Sequence, residues 1–264
     1  MRSALGARVP NMAAAQTSVG TLAWARRSGG RLGRYDRLSL MAQAMLFRLN
    51  LRLRAQNKPP FSVETDSLRI PDSALCVAAG QLLTSVSEPW LVNHCLRTFL
   101  WATILGKKEH RTYDEELLFV GSALHDLGLT DVGAKLSTGR AECFAVEGAF
   151  AAEAFLAQHG VADKRRELIA EAISLHLNVR VPLKHGVEAH LLHAGAGLDV
   201  VGARYRELAA SIRDEVVHLH PRIEMKNNLV ALLKQQSSAR PLSRAAFLCS
   251  HGFISMIRHS AFAS

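Results

Sequence analysis

From Pro71 to the C-terminus the chain alternates helix-starting and helix-stopping residues around apolar side chains spaced three and four apart, which restricts it to an all-α fold. Pro71-Asp72 opens a helix over about 72–85, and Ser87-Glu88-Pro89 opens another that runs to Gly106. Thr112-Tyr113-Asp114-Glu115 has capping-box spacing and starts a helix that ends in His125-Asp126. Helices are expected at 144–159, stopped by Gly160, at 163–177, opened by Asp163, and at 186–201. Two more fall near 205–219 and 222–236, and Pro241 opens a last one after the polar break Gln235–Arg240. No alternating strand pattern, internal repeat, or Gly-rich phosphate loop of the GxGxxG or GxxxxGK type interrupts this order.

At 264 residues the chain can bury a large core as one domain or two small ones. No apolar run approaches the ~18 residues needed to span a bilayer, so no transmembrane segment is expected. Cys76, Cys95, Cys143 and Cys249 are scattered without a CxxC pair and read as core residues of a reducing compartment, the cytoplasm. The net charge of +9 suggests nucleic acid until it is mapped: residues 1–58 hold 11 Lys and Arg against one acid, Asp36, while the remainder carries 21 basic and 22 acidic residues. No nucleic acid is therefore expected at the core.

The segment 1–58 is expected to be a basic arm, partly disordered, preceding a helical domain at 59–264. Residues 1–35 lack clean apolar periodicity and read as a poorly ordered arm or an early start, with Met12 as one alternative start. An Arg-rich, acid-poor transit peptide with organellar targeting is the competing reading. Residues 36–54 form an amphipathic helix with Leu40, Met41, Ala44, Met45 and Leu49 near one face. Such a helix can touch membranes or RNA, but the favoured reading packs its apolar face on its own domain and leaves its arginines in solvent.

Within the apolar helices a few polar residues stand out. His125-Asp126 ends the buried stretch LLFVGSALHDLGLTD, where an imidazole beside a carboxylate needs compensation, either as a hydrogen-bonded pair at a helix end or by a metal ion. Gly128 lets the chain turn sharply after them. His94 and Arg97 sit one turn apart on one helix, and His176 falls on the inward stripe of Ile169, Ala172 and Ile173. Asp199 is the anomaly of its apolar helix, following the small residues Ala194, Gly195, Ala196 and Gly197 that allow close helix approach. Two imidazoles and two carboxylates drawn from three helices make a reasonable divalent site.

These residues, in order, resemble the H…HD…D motif of the HD-domain metal-dependent hydrolases. The stretches NHCLRTFLWA, YDEELLFVGSALHDLGLTD, FAVEGAFAAEAFL, AISLHLN and HAGAGLDVVG are similar to the cyanamide-hydratase-like branch over roughly residues 70–255. The resemblance implies a single HD-type helical bundle in which His94, His125, Asp126 and Asp199 bind one divalent metal ion, Zn first, with Mn or Fe as alternatives. A water activated by that ion would add to an electrophilic carbon or phosphorus of a small-molecule substrate. His176 is the candidate acid, base or substrate donor, or joins a second metal with His193. Arg97 either orients a polar substrate group or pairs with Glu115, Glu116 or Glu147. Glu147 either supports a ligand histidine or is a helix N-terminal charge. The His-Thr pair often seen in this branch appears here as His176-Leu177-Asn178, so the hydroxyl is absent and cyanamide itself is in doubt as substrate, with Asn178 a candidate to touch a ligand residue or the substrate.

Three functions follow: a hydrolase or hydratase of a small nitrile-like or amide-like molecule, an HD-type nucleotide phosphohydrolase, and a non-enzymatic, metal-stabilised binding or regulatory domain. Phosphate chemistry should bring several cations to the metal. Only Arg97, with Lys135 and Arg140 on the following loop, is near the motif by sequence, which favours the first. A homo-oligomer is left open.

Overall fold

A computed structural model describes residues 18–53, 59–64, 68–137 and 141–264. The proposed start at Met12 and the loop cation Arg140 lie outside the described residues. Those described form thirteen α-helices and no strand beyond one isolated bridge between Phe61 and Leu208, so the fold is all-α. The helices are α1 Leu22–Ser28, α2 Arg34–Leu53, α3 Ala74–Val86, α4 Pro89–Lys108, α5 Glu115–Leu124, α6 Asp131–Leu136 and α7 Phe144–Gln158. They continue as α8 Asp163–Leu175, α9 Val187–Val201, α10 Ala210–Leu219, α11 Met225–Ala239, α12 Arg244–Ser250 and α13 Phe253–Arg258. None of them is long and apolar enough to cross a membrane.

Local chemistry explains most of the boundaries. Pro89 occupies the first turn of α4, where its missing N–H costs nothing, and Asp114, rather than Thr112, caps α5 by accepting from the Leu117 amide at 2.9 Å. Ser73 caps α3 in the same way, accepting from the Cys76 amide. Asp163 is the first residue of α8 and not its cap, which is Ala162. Gly252, at φ 96°, breaks the last expected helix into α12 and α13.

Two apolar clusters meet around the site. One joins α4, α5, α7, α8 and α9 through Phe99, Trp101, Leu118, Leu156, Ile173 and Leu191. The other joins the N-terminal segment to α7 and the C-terminal helices through Trp24, Leu40, Phe144, Leu177, Met225 and Phe247. Cys76, Cys95 and Cys143 are buried and Cys249 partly so, all as free thiols.

The N-terminal segment departs from the expectation of a poorly ordered arm over its described part. Thr21 caps α1, Gly29 ends it at φ 60°, and Trp24 is buried at 1% exposure. Its backbone is tied down by Ser174, which donates to the Gly20 carbonyl at 2.7 Å, and by Asn178, which donates to the Val19 carbonyl at 2.8 Å. Helix α2 also differs from expectation. Of its apolar residues Leu40 is buried, while Met41 and Met45 face solvent.

Two glycines are required by close approach. A Cβ on Gly128 would lie 2.0 Å from the Phe144 carbonyl, so this residue lets the turn after Asp126 press on α7; it is not among the positive-φ glycines, contrary to the sharp-turn expectation. A Cβ on Gly195 would lie 2.4 Å from the Thr98 carbonyl, so the small-residue run on α9 lets it cross tightly over α4. Gly195→Ala is expected to force these helices apart and destabilise the fold by about 1–3 kcal/mol. Thermal melting should report this as a fall of roughly 2–4 °C per kcal/mol, and a parent-like melting temperature would refute the tight crossing.

Candidate metal centre

The helix order carries four polar side chains into one buried place. His94 comes from the middle of α4, His125 caps the C-terminus of α5 with Asp126 following it, and His176 caps the C-terminus of α8. All are at most 8% exposed. Two helix C-termini, each carrying partial negative charge, thus end at the same point and favour a cation there.

Each imidazole has its Nδ1 committed. His125 Nδ1 donates to the Ser122 carbonyl at 2.8 Å and His176 Nδ1 donates to the Ile173 carbonyl at 2.6 Å, because a carbonyl can only accept. His94 Nδ1 donates to Asp199 Oδ2 at 2.8 Å. In the neutral rings every Nε2 is therefore a lone pair, and all three face Asp126. His94 Nε2 lies 3.2 Å from His125 Nε2, and Asp126 Oδ2 lies 3.4 Å and 3.3 Å from the two. His176 Nε2 is 3.5 Å from Asp126 Oδ1.

Acceptors this close repel unless a proton on His94 Nε2 or a metal cation lies between them. The triangle of His94 Nε2, His125 Nε2 and Asp126 Oδ2 has sides of 3.2, 3.3 and 3.4 Å, so its centre is about 1.9 Å from each corner, close to the ~2.0–2.2 Å of Zn–N and Zn–O bonds. Among the described residues these three form the one group of His, Cys, Asp and Glu side chains spaced to hold a metal ion.

Protonation follows from the same geometry. Burial and the neighbouring His125 charge push His176 down to about 3, and burial likewise lowers His125. Burial also opposes the charged form of His94, but its hydrogen bonds to Asp126 and Asp199 outweigh this and raise its pKa. Asp126 is held below the usual carboxylate range, against burial, by His125 and His94. Of the three rings His94 is therefore the one whose protonated form the folded protein favours, and a metal would compete with that proton.

The sign for stability is direct. His125 and His176 have depressed folded pKa values, so the unfolded chain binds more protons below the ordinary histidine value of 6.5. Stability of the metal-free protein should fall from about pH 6.5 towards pH 4, by up to ~1.4 kcal/mol per pH unit for each ring. Urea unfolding at a series of pH values checks this; His176→Asn should flatten the profile, and an unchanged slope would show that His176 protonates freely in the folded state.

Asp199 takes a different part from the one the motif implies. Its Oδ1 accepts from Arg97 Nε at 2.8 Å, Trp101 Nε1 at 2.9 Å and Arg222 Nη1 at 3.2 Å, and its Oδ2 accepts from Arg97 Nη2 at 2.9 Å and His94 Nδ1 at 2.8 Å. A carboxylate offers about four lone-pair sites, so none is left for a metal. Asp199 instead orients His94 from behind, and despite complete burial the guanidinium of Arg97 holds it well below the usual carboxylate range.

The other expected residues are also engaged elsewhere. Arg97 is fully buried, gripping Asp199 and the His220 and Pro221 carbonyls, and neither reaches toward a substrate nor pairs with Glu115, Glu116 or Glu147, because the α4–α9 crossing supplies a nearer carboxylate. Glu147 forms a buried ion pair with Arg240 and supports no ligand histidine. His193 Nδ1 donates to the His176 carbonyl at 2.9 Å, fixing the backbone of that residue and not a second metal. Asn178 ties Val19 to Arg244, and Lys135 is exposed on α6.

Two arginines went unseen in the sequence. Arg222, on the connection between α10 and α11, is the second cation on Asp199. Arg244, first residue of α12, is fully buried and has no carboxylate partner among the described residues: Nη1 donates to Asn178 Oδ1 at 2.7 Å, its guanidinium lies 5.3 Å from the centre of the Trp24 ring, and Nε and Nη2 have no acceptor among those residues. Its charge reaches His176 and helps depress that ring.

Fold and site together define an all-α protein with a buried His-His-Asp group compatible with a divalent metal ion. No model of a known protein family matches the chain, and a comparison with curated proteins finds no match.

Proposed function

We propose that the protein is a metal-dependent hydrolase or hydratase of a small molecule. The observation that carries this reading is the convergence of three imidazole lone pairs on one buried carboxylate, with each opposite ring nitrogen locked as a donor. His94, His125 and Asp126 would hold the ion, with His176 Nε2 beside them at 3.5 Å from Asp126 Oδ1 but outside the metal-spaced group. When bound, a divalent ion supplies Lewis acidity and brings the pKa of a water towards neutrality. His176, neutral and with only Nε2 open, would serve there as a hydrogen-bond acceptor and would not carry a proton at pH 7. Asp199 keeps the His94 tautomer fixed. A groove of about 430 Å³ is lined by Trp90 and Leu91, which precede His94 by one turn on α4, and by Leu129 and Thr130, which follow Asp126 in the chain.

Elemental analysis of tag-free protein tests the reading. About one equivalent of Zn, Mn or Fe is expected in the parent and none in His125→Ala, with metal-dependent turnover in a screen of nitriles, amides and nucleotides. A parent that takes up no metal when offered all three would overturn it.

Arg244 gives specific support to a second reading, a phosphohydrolase acting on nucleotides. A buried guanidinium with two nitrogens that find no acceptor among the described residues, and whose charge reaches His176, is costly unless an anion arrives to meet it. Under this reading Arg244→Met raises the melting temperature while lowering kcat/KM for phosphate esters by about 10²–10³, the range for losing one charge-stabilising donor. Nitrile or amide turnover that survives the substitution would favour the first reading.

A further inference from the structure

We propose that α2 is an interfacial helix that docks the protein on an anionic lipid surface, lying in the headgroup region without spanning it. Tyr35, Leu38, Met41, Met45 and Leu46 are 87%, 63%, 40%, 67% and 61% exposed, a concentration of large apolar side chains on one helix. At 3.6 residues per turn these five fall within an arc of about 140°. Leu40, 1% exposed, lies about 170° from the middle of that arc and plugs the helix into the body. On the same inner side Asp36 Oδ2 accepts from Trp24 Nε1 at 3.2 Å and from the Gly33 amide at 2.9 Å. The helix is therefore anchored along one line and presents the opposite, apolar face outward.

Charge identifies the occupant. Arg34 and Arg37 run along one edge of the apolar arc, and the sequence continues with Arg48, Arg52, Arg54 and Lys58. The 58 N-terminal residues carry 11 Lys and Arg against Asp36 alone, and that one acid is turned inward. Leucine and methionine side chains gain by entering the acyl boundary while arginines at the rim reach lipid phosphates. RNA fits less well, because the exposed face offers one aromatic ring and otherwise aliphatic groups that neither stack nor hydrogen-bond. A second copy of the chain would bring two arginine edges together. The proposal is independent of the chemistry at the metal centre.

Co-sedimentation of the full chain with vesicles tests it, using phosphatidylcholine alone and with about 30 mol% phosphatidylglycerol. The parent should pellet with the anionic vesicles and be released as salt rises. The double variant Leu38→Glu, Met45→Glu changes only exposed side chains, and with an unaltered melting curve it should lose at least about tenfold in vesicle affinity. A parent that stays in the supernatant with anionic vesicles overturns the proposal, as does a double variant that pellets like the parent. Parent dimerisation lost in the double variant, or RNA-oligonucleotide binding lost in it, with no vesicle binding in either case, would assign the face to a second copy or to RNA and equally overturn it.

Discussion

Asp199→Ala is expected to cost about 3–5 kcal/mol of stability, because it strands buried cations. Arg97 and Arg222 share this carboxylate, both at most 3% exposed, and Arg222 Nε already lacks an acceptor among the described residues. Without Asp199 the two guanidiniums face each other unpaired, Trp101 Nε1 loses its acceptor, and His94 is released from its tautomer. Against a typical domain stability of ~5–15 kcal/mol the loss approaches unfolding. Circular dichroism melting of the metal-free protein reads it. A variant that melts like the parent but binds no metal would restore Asp199 as a ligand and refute its assignment as the hub of the buried charge network.

Asp126→Ala should separate from it cleanly. Among the described residues Asp126 has no arginine partner, and it faces three histidines, two of them with lowered pKa values. Its removal takes one corner from the ligand triangle without stranding a permanent charge, since His94 can shed its proton. Metal affinity should fall by more than the ~10–100-fold that accompanies loss of an orienting partner. Far-UV circular dichroism should be preserved. The parent should gain about 2.7 kcal/mol of stability when a metal is present at a hundred times its Kd, and Asp126→Ala should gain none. Equal metal-induced stabilisation of both proteins would remove Asp126 from the centre.

How much of this was legible in the sequence depended on range. His94, His125 and Asp126 stood out as polar interruptions of apolar helices, and the caps at Pro89 and around Asp114 depend on neighbours a few residues away. Asp199 was equally visible as a carboxylate needing a partner, but its partners are 98–105 residues upstream or, for Arg222, on a loop after another helix. Sequence spacing could not choose between a metal and two arginines. Arg244 read as an ordinary helix start because nothing local shows that α12 abuts Trp24. Helix α1 was missed because seven residues give too little periodicity, although Thr21 and Gly29 are fair cap signals. For α2 the amphipathic pattern was readable, yet the same pattern serves a helix packed inward or one turned outward.

The hydrogen bond from His94 to Asp199 also sets a schedule for the chain during synthesis. His94, His125 and Asp126 leave the ribosome within 33 residues of one another, but the carboxylate that aims His94 follows 105 residues later than that ring. At ~5–20 residues per second, the nascent chain spends several seconds with the three candidate ligands emerged and one of them unaimed. Cotranslational capture of an ion would then be loose and open to whichever metal is at hand. Selective loading would wait until α9 has closed over α4, so the quality of a metal centre there would be decided by the slow, non-local step of folding.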